Sequence, residues 1–197
     1  MNSRIVDNGS YIEHDGRPAV RFRRSYPQHP VERVWAAVSE PEGLRHWFPS
    51  TVRIEPRKGG TIEFSDDPNL ESTTGEVLRY EPPHALAFTW HRDELILEVA
   101  PGTPADPDAG GCTLTLINVL EARDTAARNA AGWHVCLGEL DRHLSLDRHL
   151  SGDEQDGGPA AEPGGDPHGP EAEPWRPVYE GYIAAGMPYG AEIPGEA

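Results

Sequence analysis

Three histidines that each adjoin a tryptophan are the side chains in this sequence best suited to acid–base chemistry: His46, His91 and His134. A histidine acts as a general acid or base only when its partner lies within hydrogen-bond reach. The sequence identifies no such partner, and strand alternation predicts that His91 and Trp90 face opposite sides of a sheet. We therefore predict no catalytic residue, and keep proton transfer assisted by His46, His91 or Asn118 as an alternative.

A second arrangement has the residue types of a metal site. Glu139, His143 and Asp147 recur every four residues on a predicted helix. A zinc motif such as His-Glu-x-x-His is missing, so we predict a solvated helix face and no metal. The two cysteines make no disulfide framework, and Cys136 fits a small buried helix residue. We also find no phosphate-binding glycine loop, nucleophile elbow or dinucleotide fingerprint, and we expect no cofactor.

The charge balance limits the classes of partner. The chain carries 17 basic and 33 acidic residues, a net charge of −16, of which −7 falls on residues 1–150 and −9 on residues 151–197. A domain without a basic patch is a poor nucleic-acid binder, because phosphate neutralisation supplies most of that affinity. No apolar run approaches the roughly 18 residues of a membrane span, and no signal-peptide pattern opens the chain. We expect a cytoplasmic protein that binds neither nucleic acid nor membrane.

The elements that must hold these residues are a set of strands followed by one long helix. A first strand over Ala19–Tyr26 precedes a short amphipathic helix, and alternating apolar residues then predict six strands up to Leu120. The long helix follows with an apolar stripe at three- and four-residue steps, made of Ala126, Ala130, Trp133, Leu137, Leu140 and Leu144. This order predicts an α+β domain, an antiparallel sheet with its helices on one side.

The two ends of the chain differ from the domain at residues 18–150. Residues 1–17 are polar, and we predict a loosely ordered arm. Residues 151–174 hold six Gly, five Pro, seven acids and no base, which predicts a disordered linker. An apolar helical spacing returns at Trp175, so we predict that residues 175–197 form a docking segment with a short helix. This segment would act either as a lid over a pocket or as a patch over exposed surface.

Several motifs in a fixed order resemble a known family. They are Val31–Trp35 with Pro41–Phe48, Gly59-Gly60, Gly75–Val77 with Glu81–Trp90, Thr113–Leu116 and Gly132-Trp133. The chain resembles, over about residues 18–150, bacterial single-domain proteins similar to the C-terminal domain of the activator of Hsp90 ATPase, within the START-like, Bet v 1-like (SRPBCC) helix-grip superfamily. The resemblance implies a curved antiparallel sheet wrapped around a long C-terminal helix, with two short helices after the first strand and a cavity inside.

The resemblance also bears on function. Members of the wider superfamily bind lipids, hormones or polyketides, and some are cyclases or aromatases, but this subgroup has no shared catalytic motif to carry over. Cys112 and Asn118 stand where the family pattern leads us to expect Thr and His. We therefore expect a module that binds a small hydrophobic or aromatic ligand. The alternatives are a cyclase-, aromatase- or hydrolase-type enzyme and a co-chaperone-like interaction module. A homodimer and a chaperone are further partner hypotheses.

The candidate ligand-binding residues lie on predicted strands and on the long helix. Indole rings offer a large apolar contact and an N–H that can orient a ligand, but the commoner role of such a ring is to fill the core. Asn118 shares strand parity with Leu114 and Leu116 and would present an amide to the ligand or bond to nearby backbone. The candidates are Trp47, Phe64, Trp90, Leu97, Asn118, Trp133 and Leu137.

Overall fold

A computed structural model describes residues 8–102, 110–150 and 165–194, with backbone alone for residues 146–150. The fold is α+β: an eight-stranded antiparallel sheet in the order β1-β2-β8-β7-β6-β5-β4-β3, curved around a long helix. The strands are β1 Ser10–His14, β2 Arg17–Tyr26, β3 Thr51–Ile54, β4 Thr61–Ser65, β5 Thr73–Glu81, β6 Ala85–Trp90, β7 Asp93–Pro101 and β8 Cys112–Val119. The predicted fold class is confirmed.

The helices lie where the apolar spacing predicts them. They are α1 Val31–Ser39, α2 Pro41–Leu44, α3 Ala126–Leu150 and α4 Trp175–Ala184, with a 3₁₀ turn at Arg123–Thr125 before α3. All six residues of the predicted α3 stripe are buried. Their contacts with the sheet, rather than helix propensity, stabilise a helix that contains two glycines.

The core lies between α3 and the concave face of the sheet. Alternate residues of the central strands point inward and are fully buried, and Phe88, Leu97 and Leu116 are examples from β6, β7 and β8. Burying one such side chain stabilises the fold by roughly 1.5–3 kcal/mol relative to leaving it exposed. These side chains fill the middle of the interface between the sheet and α3.

The N-terminal arm is partly an edge strand. Strand β1 pairs with β2 from Ser10–Arg21 to His14–Arg17, so the prediction of a loose arm is wrong for residues 10–17. The reason is a two-residue turn at Asp15-Gly16, where both residues have positive φ, 49° and 75°. Asp-Gly is a strong hairpin signal because such a turn matches the twist of the paired strands. Residues 1–7 lie outside the described residues.

The prediction of disorder over residues 151–174 is wrong for residues 165–174. The Gly165 amide donates to the Glu139 carboxylate at 3.0 Å, and Arg142 donates to the Glu171 carbonyl at 3.0 Å. Composition alone indicates too little apolar surface for folding, but these polar contacts join the segment to α3. The remainder, residues 151–164, falls outside the described part of the chain.

Residues 165–194, named here the C-terminal segment, run along α3 toward its N-terminus. The segment contacts Glu139 at its start, then His134 through Tyr182, and finally Asp124 through the Ala191 amide. Tyr179, Tyr182 and Met187 are buried in this packing. Within the described ranges, no helix is both long and apolar enough to cross a membrane.

Candidate functional site

A cavity of about 760 Å³ opens at one end of the sheet, beside the first half of α3. One wall is the turn between β6 and β7, and another is the loop at residues 67–73 between β4 and β5. Helix α3 contributes the wall from Arg128 to Cys136. The C-terminal segment contributes to the lining at its two ends, with Pro167 and His168 from one end and Ile193 and Pro194 from the other.

Aromatic rings form much of the apolar surface around the cavity. The rings of Trp90 and Trp133 lie 5.1 Å apart between centroids, and Phe48 packs against both at 5.9 and 5.6 Å. Trp175 of α4 also lines the cavity and stacks on Tyr179 at 4.7 Å. Three indoles from a strand, the long helix and the C-terminal segment therefore surround one space.

Gly132 leaves a gap in the wall that α3 presents to the cavity. A Cβ atom added there would meet nothing within 4 Å, so close packing does not require glycine at this position. Glycine inside a helix costs roughly 0.5–1 kcal/mol relative to alanine. The missing side chain adds room to the cavity at a small cost in stability.

Behind the apolar surface lies a buried polar network centred on Asn118. Its Oδ1 accepts hydrogen bonds from the Trp133 indole N–H and the Asn129 amide, both at 3.0 Å. Its Nδ2 donates to Asp93 Oδ2 at 3.0 Å and to the Glu94 carbonyl at 3.3 Å. Because an indole N–H can only donate, Trp133 fixes which end of the Asn118 amide faces Asp93.

Asp93 is the acidic member of this network and lines the cavity. The Asn129 amide donates to Oδ2 at 2.7 Å, and the Glu121 backbone N–H donates to Oδ1 at 2.8 Å. Burial raises the pKa of the Asp93 carboxyl above its usual value, although these hydrogen bonds and the charge of Arg128 act in the opposite direction. Burial therefore favours the neutral carboxyl, while the hydrogen bonds and the charge of Arg128 favour the carboxylate.

An acid–base pair also lies in the lining, at the junction with the C-terminal segment. His168 Nε2 is 4.0 Å from Asp67 Oδ1, but it contacts the Pro49 carbonyl more closely, at 3.1 Å. The other ring nitrogen is 3.4 Å from the Asn69 amide nitrogen. Both nitrogens of His168 thus hold a partner, and the pair joins the segment to the loop.

The cavity has one thiol in its lining, Cys136. Burial raises the pKa of Cys136, and it raises the pKa of Cys112 to about 12. The thiolate is the nucleophilic form of cysteine. Both cysteines are free and buried, and at neutral pH neither has the properties of a reactive nucleophile.

Residues 28–145 match a family model described as activator of Hsp90 ATPase homolog 1-like protein. The chain belongs to this family. The match covers more than half of the chain and spans α1 to the described part of α3, so the family recognised from the sequence motifs is confirmed. No curated protein matches the chain.

Solved structures share the family fold. A conserved protein of unknown function from Enterococcus faecalis, EF2215, is 16% identical with a TM-score of 0.61, over 90% of this chain and 89% of that one. CalU16 from Micromonospora echinospora is 20% identical with a TM-score of 0.58, over 93% and 94%. DynU16, a protein of the dynemicin biosynthetic locus, is 27% identical with a TM-score of 0.54, over 64% of this chain and 47% of that one.

This family member has only two of the seven candidate ligand-binding residues in the lining, Trp90 and Trp133. Trp47 is fully buried and donates to the Ala37 carbonyl at 2.9 Å. The other four are buried outside the lining: Phe64 stacks on Phe48, Leu97 and Leu137 belong to the core, and Asn118 lies in the polar network.

Four further residues that line the cavity were not among the candidate ligand-binding residues: Asp93, Asn129, Gly132 and Trp175. Asn129, Gly132 and Cys136 are three or four residues apart, so they share one flank of α3 beside Trp133. That spacing is visible in the sequence and could have identified them. Trp175 could not have been assigned to the site, because nothing in the sequence states where a distant segment docks.

The histidines beside tryptophans occupy different surroundings. His46 stacks on His143 at 4.2 Å, and His134 contacts Tyr182 at 3.0 Å. His91 lies in the lining as the first residue of an exposed turn, with a φ of 53°. Within the described residues there is no group of three His, Cys, Asp or Glu that could hold a metal ion, and the Asp147 side chain lies outside that description.

Proposed function

We propose that the chain binds a small hydrophobic or aromatic ligand in the cavity at the end of the sheet. The observation that carries this proposal is a space of about 760 Å³ between the indoles of Trp90, Trp133 and Trp175. Small-molecule sites are typically clefts of roughly 300–1,000 Å³, mostly apolar, with a few polar groups that orient the ligand. A relative in a biosynthetic locus, DynU16, is in keeping with a small-molecule ligand.

The C-terminal segment supports this function as a lid. Its residues contribute to the lining at both ends and, through Trp175, in the middle. A segment that served only as a patch over exposed surface would bury residues such as Tyr182 against α3 but would not border the cavity. We propose that residues 165–194 do both, so that the segment stabilises the fold and encloses the ligand.

One observation supports the alternative that the cavity is an active site: His168 Nε2 lies 4.0 Å from Asp67 Oδ1. A general base needs a free nitrogen directed at the substrate. Both nitrogens of His168 contact the loop between α2 and β3 or the loop after β4, which favours binding over catalysis. A chaperone partner and a homodimer remain predictions without a contact in the described residues that argues for them.

Two glycines on α3 give a matched test of the proposal. An added Cβ meets nothing within 4 Å at either Gly132 or Gly138, but only Gly132 lines the cavity, whereas Gly138 is exposed. We expect Gly132→Phe to fill part of the cavity and to weaken binding of the neutral dye Nile red by about tenfold or more, equivalent to roughly 1.4 kcal/mol. Gly138→Phe should bind the dye like the wild type.

The comparison is read from dye fluorescence titrations, with circular dichroism verifying that both variants are folded. Equal dye affinity for the wild type and both variants would contradict a ligand site at this cavity. Native mass spectrometry of freshly purified protein gives a second readout. A small molecule that co-purifies with the wild type and with Gly138→Phe should be missing from Gly132→Phe.

A further inference from the structure

Asp93 and Trp90 form a cross-strand pair beside the cavity. They are Cα partners at the end of the β6–β7 hairpin, on either side of the two-residue turn His91-Arg92. Directly opposed residues in an antiparallel pair point to the same face, with Cβ atoms about 4.5–5.5 Å apart. The Asp93 carboxylate therefore lies beside an indole ring that lines the same space.

The hydrogen bonds of Asp93 leave it one acceptor position. A carboxylate offers about four lone-pair sites, two on each oxygen. Oδ2 accepts from Asn118 and Asn129, and within the described residues Oδ1 accepts one bond, from the Glu121 amide. Because Asp93 lines the cavity, the second site on Oδ1 is the acceptor position that it can offer a ligand.

The orientation of the network makes Asp93 an acceptor and not a donor. The Trp133 N–H fixes the Asn118 oxygen toward α3, so the Asn118 amide N–H faces Asp93. The two hydrogens of Asn129 Nδ2 serve Asn118 and Asp93. Asp93 therefore receives two side-chain donors on one oxygen, an arrangement that fits the ionised carboxylate.

The charges around the cavity disfavour an anionic ligand. Two arginines share the lining with Asp93, but Arg92 is paired with Glu121 at 2.7 Å. Arg128 donates to the Glu192 carbonyl at 2.6 Å and to the Asn129 side chain at 3.2 Å. Among the described lining residues the acids Asp67, Asp93 and Glu121 outnumber these two arginines, and the whole chain carries a net charge of −16. A ligand carboxylate would meet Asp93 as a like charge.

We infer that the cavity selects apolar alcohols and amines, whose hydrogen-bond donor binds the Asp93 carboxylate, and excludes apolar carboxylates such as fatty acids. The hydrocarbon part of the ligand packs against the indoles, and the hydroxyl or ammonium group reaches Oδ1. This inference rests on the proposed function of the cavity, and it adds the chemical class of ligand.

Three probes with the same hydrocarbon chain test the inference: 1-decanol, decylamine and decanoate. None absorbs at the wavelengths that excite tryptophan, so quenching or enhancement of intrinsic fluorescence can report their binding to a cavity lined by three indoles. At neutral pH we expect the alcohol and the amine to bind the wild-type chain about tenfold or more tightly than decanoate. That difference corresponds to one hydrogen bond to a charged group.

Asp93→Asn should remove most of this preference and bring the three affinities within about threefold, because the amide attracts no ammonium and repels no carboxylate. The matched control is Glu94→Gln, which removes one negative charge from the neighbouring residue of β7. Strand alternation points Glu94 to the outer face, where it pairs with Arg17. This variant should keep the wild-type ranking.

The ranking in the wild-type chain is informative even if Asp93→Asn fails to fold. Equal binding of all three probes, weakened by Gly132→Phe, would overturn the donor requirement and leave the cavity as a ligand site. Tighter binding of decanoate would overturn it as well. Failure of all three probes to bind would instead contradict the proposed function on which the inference rests.

Discussion

Asn118 connects a strand, the long helix and the β6–β7 hairpin through one side chain. It is fully buried and bonds to Trp133, Asn129 and Asp93. A buried amide is tolerated because its oxygen and its nitrogen both have partners. Such a network fixes the positions of the groups that line the cavity, since each member is held by the next.

Replacing Asn118 with alanine should destabilise the chain more than a surface change would. Asn118→Ala leaves the buried Trp133 N–H without its acceptor and takes one donor from Asp93. Each buried polar group left unsatisfied costs about 1–3 kcal/mol, so we expect a loss of roughly 2–4 kcal/mol in the free energy of unfolding. Urea denaturation followed by tryptophan fluorescence measures this loss.

Asn129→Ala serves as the comparison. Asn129 is half-buried, so water can replace some of the hydrogen bonds that its amide makes. We therefore expect Asn129→Ala to lower the free energy of unfolding by about 1 kcal/mol. If Asn118→Ala cost no more than Asn129→Ala, the network would not have the structural role described here.

At the scale of single residues, the sequence predicted side chains whose position follows from periodicity. Trp90 and Trp133 follow from strand alternation and helical spacing. Strand alternation also places Asp93 on the inner face with Leu95 and Leu97, but the sequence does not show that this face borders a cavity there. Trp47 was a wrong candidate for the cavity lining because it is fully buried in the core. The sequence pattern around a core tryptophan does not differ from that around a tryptophan that lines a cavity.

Helix α4 is held to the domain by a polar contact as well as by apolar packing. Tyr182 packs edge-on against Phe22, and its hydroxyl lies 3.0 Å from His134 Nδ1 and accepts from the Gly9 amide at 2.9 Å. Burial lowers the pKa of His134, while the charge of Glu173 raises it in part. The folded chain therefore favours the neutral imidazole.

Acidification should loosen this contact. Because the pKa of His134 is lower in the folded chain than its ordinary value of 6.5, the unfolded chain binds the proton more readily. The stability from neutral His134 is fully present above about pH 6.5 and is lost as pH falls through the lower folded pKa. We expect the free energy of unfolding of the wild type to fall over this range, as measured by urea denaturation at successive pH values.

His134→Gln isolates the contribution, since glutamine can bond to Tyr182 without titrating near neutral pH. The difference in stability between wild type and variant should shrink or reverse on acidification. A difference that stays constant from pH 8 to pH 5 would exclude titration of His134 as the cause.

At the scale of elements, the helices and seven of the eight strands were predictable, whereas strand β1 and the stretch before α4 were not. The α3 stripe is a strong periodic signal, and its burial matches the sequence. Strand β1 is short and polar, and its Asp15-Gly16 turn was the only signal for it. The stretch from Gly165 to Pro174 is ordered by contacts with Glu139, Arg142 and Pro49, which composition cannot reveal.

The whole molecule is acidic, and its excess charge opposes its own compact state. Residues 1–150 carry a net charge of −7, and the C-terminal segment, with five acids and one base, carries −4, so it docks on a domain of the same sign. Self-repulsion of this kind destabilises a folded chain. Surface ion pairs such as Arg57–Glu55 contribute little in compensation.

Added salt should therefore stabilise the chain. Raising ionic strength from about 0.01 M to about 0.15 M shortens the screening length from roughly 30 Å to roughly 8 Å, within the dimensions of the domain. We expect Tm to increase over this range in thermal unfolding followed by circular dichroism. Sodium and potassium chloride should act alike, and a Tm that falls with either salt would show that attractive pairs outweigh the repulsion.

The path of the C-terminal segment has a consequence for the rate at which a ligand enters the cavity. The segment borders the cavity and packs along α3, and none of its described residues belongs to the sheet, so its opening would leave the strand pairing intact. As the lid proposed above, the segment would have to open before a ligand reaches Trp133. The speed of uptake should rise with ligand concentration only up to a ceiling, and that ceiling is the opening rate of the segment itself.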